Sequence, residues 1–216
     1  MSAEKFEKYM KEDKSVLKIA GSASFERDIE TDFVIVSGSL KSTGILKAKV
    51  LKVAGSASLK EINADEISIA GSAKVQGHLT GNSVKVAGSL KAEGIKCREL
   101  NAAGSVSASK IEAEKVVIKF SSDGTLGSIR ADIIKIYPER RLFPFFKGRK
   151  FTAKEIRGKD VSLIEVRCDE VDAENAFIGD GCEIGVLRCR NVEISSKAKV
   201  RKIVRGDSGG GTSQDI

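Results

Sequence analysis

Apolar and polar residues alternate along most of this chain, in short runs that restart at nearly fixed intervals. An apolar residue stands at Leu17, Val34, Leu51, Ile67, Val84, Leu100, Val116, Ile134, Val161, Ala176 and Val192. Two places further on, each is followed by another: Ile19, Val36, Val53, Ile69, Val86, Ala102, Ile118, Ile136, Leu163, Ile178 and Ile194. Alternation with period two turns both members of a pair to one side of an extended strand. The pattern therefore predicts eleven copies of one short strand.

A second column lies five residues upstream of each next copy: Ile29, Leu46, Ile62, Leu79, Ile95, Ile111, Ile129, Ile156, Val171 and Leu187. Two places after each of these comes a residue that is small in every case, among them Thr31, Ala48, Gly81, Cys97, Ala131 and Cys189. A third pair follows the first column at six and eight residues: Ala23/Phe25, Leu40/Ser42, Ala57/Leu59, Ala73/Val75, Leu90/Ala92 and Val106/Ala108. Three inward-facing segments per repeat, separated by small or polar corners, describe one coil of a three-sided prism. The fold expected is all-β, a single-stranded parallel β-solenoid of about eleven coils.

The first corner has its own signature. Ala-Gly-Ser or Ser-Gly-Ser recurs with its glycine at Gly21, Gly38, Gly55, Gly71, Gly88 and Gly104. A glycine at a fixed corner supplies backbone angles that other residues resist, and the serine after it is expected to stack over its equivalents and hydrogen-bond along the axis. Both read as corner chemistry rather than ligand binding. Helical repeats of similar period are disfavoured, since a Gly-Ser in every unit would cost each helix about 1 kcal/mol and β-branched residues fill the inward slots.

Composition narrows the class. With 41% hydrophobic and 31% charged residues, two prolines and no tryptophan, the 216-residue chain can bury a core, and no apolar run suits a transmembrane segment. The first fifteen residues, MSAEKFEKYMKEDKS, lack the apolar stretch of a leader, so the chain is expected to stay in the cytoplasm. Four cysteines without a C-x-x-C pair, and one histidine, suggest neither a disulfide framework nor a zinc site.

Three regions are expected: residues 1–15 as a short amphipathic helix, 16–205 as the solenoid with an inserted loop at 137–151, and 206–216 as a flexible Gly/Ser tail. An uncapped solenoid exposes strand edges over an apolar cross-section. Leu17, Ile19, Phe25 and Ile29 at one end and Ile194, Val200 and Ile203 at the other are therefore the candidates for end-to-end assembly. Phe6, Tyr9 and Met10 lie on one side of the N-terminal helix, which is expected to act as a lid over the first coil.

At this point the chain resembles the bactofilins, polymer-forming bacterial cytoskeletal proteins whose central domain is a right-handed three-sided β-helix. The units carrying the likeness are LKVAGSASLKEINADE (51–66), ISIAGSAKVQGHLTGNS (67–83) and VKVAGSLKAEGIKCRE (84–99). The likeness implies right-handed coils, end-to-end polymerisation without nucleotide and a scaffolding role at the cell envelope, in the cytoplasm or at the inner face of the membrane. Its expected partners are further copies of itself and an envelope or membrane-associated protein. The chain departs from the repeat in losing the Gly-Ser corner after residue 105 and in its insertion.

That insertion, in the eighth coil, gathers Tyr137, Phe143, Phe145, Phe146 and Phe151 with Arg140, Arg141, Lys147 and Arg149. A basic aromatic loop can dock on an anionic membrane, wedge against a partner protein or stack on single-stranded nucleic acid; alternatively its phenylalanines fold back over the prism. A second reading of the whole chain follows: a binding module that presents this loop. The basic cluster Arg188, Arg190, Lys197, Lys199, Arg201, Lys202 and Arg205 reads as a solvated face that blunts an edge strand, which argues against nucleic acid as the partner.

Ile178–Gly185 matches two units of the hexapeptide repeat of left-handed β-helix acyltransferases, a third reading whose general base would have to be His78. His78 precedes inward Leu79 and should face solvent. Cys97 and Cys189 fall in inward slots and should be buried and inert; Cys168 and Cys182 are open. The chain is not expected to be an enzyme, and no catalytic, cofactor-binding or metal-ligating residue is assigned.

Overall fold

The computed structural model describes residues 15–121, 123–139, 151–205 and the backbone of 213–215. The expected N-terminal helix, the central part of the insertion and most of the Gly/Ser tail lie outside these residues. Fifteen strands follow in chain order: β1 (Val16–Ile19), β2 (Ser22–Phe25), β3 (Ile29–Val36), β4 (Ser39–Val53), β5 (Ser56–Ile69), β6 (Ser72–Val75), β7 (His78–Val86), β8 (Ser89–Glu112), β9 (Lys115–Phe120), β10 (Gly124–Pro138), β11 (Phe151–Leu163), β12 (Val166–Ile178), β13 (Glu183–Ile194), β14 (Lys199–Arg205) and β15 (Ser213–Asp215). Every pairing is parallel except the last, in which β15 runs antiparallel to β14. The chain is a parallel β-solenoid.

The columns stack as expected. Residues 17, 34, 51, 67, 84, 100, 116, 134, 161, 176 and 192 pair one above the next without a slip, and so do their partners two places on. The second column runs from Ile29 through Leu187 and gains an eleventh member, Ile203, which pairs with Leu187. Eleven coils at about 4.8 Å each make a rod of about 50 Å. The inward aliphatic residues form one continuous cluster along it, each contributing about 1.5–3 kcal/mol on burial.

The third column, traced in the sequence only to Ala108, also continues. Ala108 pairs with Leu126, then Ala153, Cys168, Ile184 and Val200 follow in register. Ser42 takes one inward slot of this column, and its Oγ accepts a hydrogen bond from the Gly44 amide at 3.2 Å.

The corner glycines work differently from the expectation. Among the described residues only Gly181 (φ +73°) and Glu165 (φ +55°) adopt left-handed backbone, and neither belongs to the Gly-Ser series. The reason for glycine there is close approach. A Cβ added at Gly55, Gly71 or Gly88 would lie 2.0 Å from the carbonyl oxygen of the glycine one coil below. The axial bond at this corner is made by the backbone, with the Ser56, Ser72 and Ser89 amides donating to the carbonyls of Gly38, Gly55 and Gly71 at 2.9–3.0 Å.

The strands also claim two of the five aromatics assigned to the insertion. Tyr137 closes β10 beside Lys119, and Phe151 opens β11 as a fully buried inward residue stacked on Gly124, its ring 5.4 Å from that of Phe120. Outward Phe33 and Val50, paired in neighbouring coils, depart from the alternation: they are 1% and 7% exposed and stand apart from the core cluster.

Candidate functional site

Inside the rod each coil covers the one beneath it, so an inward residue is sealed on both sides. At the two ends this cover stops. Leu17, Ala23 and Phe25 of the first coil are only partly buried, whereas Val34, Leu40 and Ser42 directly above them are almost inaccessible. Ile19 and Ile29 are buried but rank among the less sealed core members. At the far end Val192, Ile194, Ala198, Val200 and Ile203 are again partly buried, each in line with a sealed column below. All seven residues read from the sequence as assembly candidates therefore occupy the terminal coils, three columns at each end.

The backbone at these ends offers hydrogen bonds as well. Among the described residues β1 and β2 pair on one side only, with β3 and β4. At the other end β14 pairs with β13 along one edge, and β15 occupies the other edge at Lys202–Val204. The tail thus folds back as a short antiparallel cover over one of three sides. The apolar slots and unpaired strand edges give these ends the chemistry of association: apolar area to bury and a ladder to extend.

Along the side walls, charges are paired from coil to coil. Lys47 lies 3.9 Å from Glu30, Lys49 2.6 Å from Asp32, Lys115 2.9 Å from Glu99 and Lys159 2.9 Å from Asp132, while Arg167 and Arg188 pair with Glu183 and Glu170. These are exposed pairs, worth at most about 1 kcal/mol each. Their hydrogen bonds hold the Glu99 carboxyl below, and the Lys159 ammonium above, the usual range. The basic cluster near the C-terminus is exposed throughout; Arg188 and Lys197 within it meet Glu170 and Asp180.

The remaining candidates scatter. Arg140, Arg141, Phe143, Phe145, Phe146, Lys147 and Arg149 lie outside the described residues. His78 is exposed, as its position before Leu79 required. Among the described residues no cluster of three His, Cys, Asp or Glu side chains is placed to hold a metal ion.

All four cysteines are free and buried, which settles the two left open: Cys168 and Cys182 fill inward third-column slots. Burial pushes the Cys97 and Cys168 thiols up to about 12, with Glu99 adding to it at Cys97, and the Cys168 thiol donates to the Glu170 carbonyl at 3.1 Å. Burial also raises Cys182 and Cys189. Alkylation of Cys97 and Cys168 in the native protein at pH 8 should therefore run about a thousandfold slower than for a free thiol. Iodoacetamide labelling followed by mass spectrometry checks this; full labelling before unfolding would contradict it.

One surface feature escaped the sequence. Asn191 donates to the Asn175 side chain at 2.9 Å and Asn175 to Asp160 at 2.7 Å, an axial ladder beside Phe177, which is 38% exposed. These residues border a shallow groove of about 450 Å³ with Lys135 and Glu193. The only signal available was their shared place one residue before the first column. Comparison of the chain with family models, curated proteins and solved structures returns no match.

Proposed function

We propose that this protein is a structural, self-assembling scaffold of the bactofilin kind, stacking end to end without nucleotide. The observation that carries the reading is the pair of terminal coils, where Leu17, Ala23 and Phe25 at one end and Val192, Ile194, Ala198 and Val200 at the other are half-covered members of columns that are sealed almost everywhere else. Among the described residues each end presents partly buried apolar side chains that a second copy would cover. No catalytic step is part of this role. The side walls then remain for an envelope or membrane-associated partner, which would place the rods in the cytoplasm or at the inner face of the membrane.

The test is sedimentation velocity of the purified full chain without nucleotide across a range of concentrations. Assemblies growing with concentration support the reading, and a single monomeric boundary at tens of micromolar opposes it. Because β15 lies on the edge of β14 that a stacking partner would need, truncation after Arg205 should lower the concentration at which assembly begins. Three residues of ladder correspond to about 1.4 kcal/mol, or tenfold. An unchanged threshold would show that the tail does not compete.

A further inference from the structure

Two outward side chains on the wall of the rod are buried at a position that the fold by itself leaves open. The outward column one residue before the first inward column runs Val16, Phe33, Val50, Glu66, Ser83, Glu99, Lys115, Ile133, Asp160, Asn175 and Asn191, each paired with the next. Phe33 is 1% exposed and Val50 7%, while every other member is half-buried or exposed, the apolar Val16 and Ile133 included. Ile133 has a coil on either side, as Phe33 and Val50 do, so axial neighbours do not account for the difference. Ile35, two residues beyond Phe33 on the same wall, is half-buried and extends the apolar patch. Neither Phe33 nor the adjacent Asp32, Lys49 and Lys52 is without a partner.

We infer that residues 1–14 of the same chain cover this patch: the N-terminal segment docks on the side wall over Phe33 and Val50, and not over the open end of the first coil. The chain outside the described residues offers two other long stretches, and neither reaches. Residues 140–150 leave and re-enter the eighth coil, so an excursion out and back extends about 20 Å at most. Phe33 lies six coils away, about 29 Å along the axis. The C-terminal tail is held at the opposite end of the rod by the pairing of β15 with β14.

The N-terminal segment, by contrast, starts at the patch. Ser15 is fastened beside Phe33 by four hydrogen bonds. Its carbonyl accepts from the Phe33 amide at 3.1 Å and from the Thr31 hydroxyl at 2.8 Å. Its amide donates to the Asp32 carboxylate at 3.2 Å, and its hydroxyl accepts from the Asp32 amide at 3.2 Å. The preceding residue therefore departs from the rod next to the side chain that needs covering.

The segment also carries the right chemistry. Phe6, Tyr9 and Met10 fall on one side of a helix and span about 6 Å along it. Phe33 and Val50 are one coil apart, about 4.8 Å, so one such face matches the patch in length. The five residues from Met10 to Ser15 bridge about 7 Å as helix or about 17 Å extended, enough to bring that face over either coil. Leu17, Ala23 and Phe25 at the end of the rod are not part of this contact, and the inference stands whether or not the ends join.

The chain has no tryptophan, so Tyr9→Trp in the full chain gives a single reporter. Its quenching by acrylamide is measured at a dilution where the protein sediments as a monomer. The expected result is quenching several-fold weaker than in the same chain unfolded in urea. Adding Phe33→Asp should restore quenching to the unfolded level, and adding Phe25→Asp at the end of the rod should leave the protection intact. Circular dichroism checks that each variant keeps its strands; if Phe33→Asp does not, Val50→Asp takes its place. A reporter as accessible in the native chain as in the unfolded one overturns the inference. So does protection that survives Phe33→Asp and Val50→Asp, or protection that Phe25→Asp abolishes, which would put the segment on the end.

Discussion

Alanine at Gly71 is expected to destabilise the rod by about 3 kcal/mol, while alanine at Gly21, in the same Ala-Gly-Ser motif, leaves stability within about 0.5 kcal/mol. The difference comes from position along the axis. The Cβ at Gly71 would stand 2.0 Å from the Gly55 carbonyl oxygen and 2.5 Å from that of Ala54, both backbone atoms that can retreat only by breaking the ladder. Gly21 belongs to the first coil, and its Cβ would meet nothing within 4 Å. Urea unfolding followed by circular dichroism measures both. Equal effects at the two sites would mean that conformational freedom, not coil-to-coil approach, is what the glycine provides.

Glutamate at Val200 should leave the single chain folded and raise the assembly threshold at least about a hundredfold. Val200 is partly buried in the last coil and stacked on Ile184, with no strand on its other side among the described residues. In the free chain the new carboxylate reaches water. In a junction it would be shut between two apolar cross-sections without a partner, a cost of several kcal/mol, and each 1.4 kcal/mol is about tenfold in affinity. The control is Lys74→Gln on the exposed side of β6, which changes the charge by the same single unit away from the ends. Sedimentation of the two variants separates an end effect from a charge effect; equal losses would place the contact on the side walls.

The first column was legible because inward residues at 17, 34, 51 and onward are apolar in every coil, and the span from the second column to the next first column is constant. The third column was lost after Ala108 for a specific reason. It was measured forward from the first column, across the corner whose length varies and which holds the 137–151 insertion. Measured backward from the second column its spacing is constant over these later coils: Leu126, Ala153, Cys168, Ile184 and Val200 each stand three residues before an inward aliphatic residue. Cys168 and Cys182 would then have been assigned inward at once.

Other features depend on what neighbouring coils bring and leave no local trace. The corner glycine looked like a demand for unusual backbone angles, because steric exclusion by a carbonyl one coil away is invisible in a single repeat. Phe33 sits in an outward slot by alternation, yet it is covered. Phe151 read as part of a basic aromatic loop, but Gly124 beneath it leaves the space its ring fills. The ends were legible as a consequence of the fold; β15 lying across one of them was not, since a three-residue strand in a Gly/Ser-rich tail has no periodicity to read.

Electron cryo-microscopy of the purified full chain, without nucleotide, tests the central claim that the terminal coils are joining surfaces. The account predicts rods built in steps of about 50 Å, with the strand spacing of about 4.8 Å running unbroken through each join. Separate particles of about one such step at tens of micromolar protein, with or without residues 206–216, would contradict it.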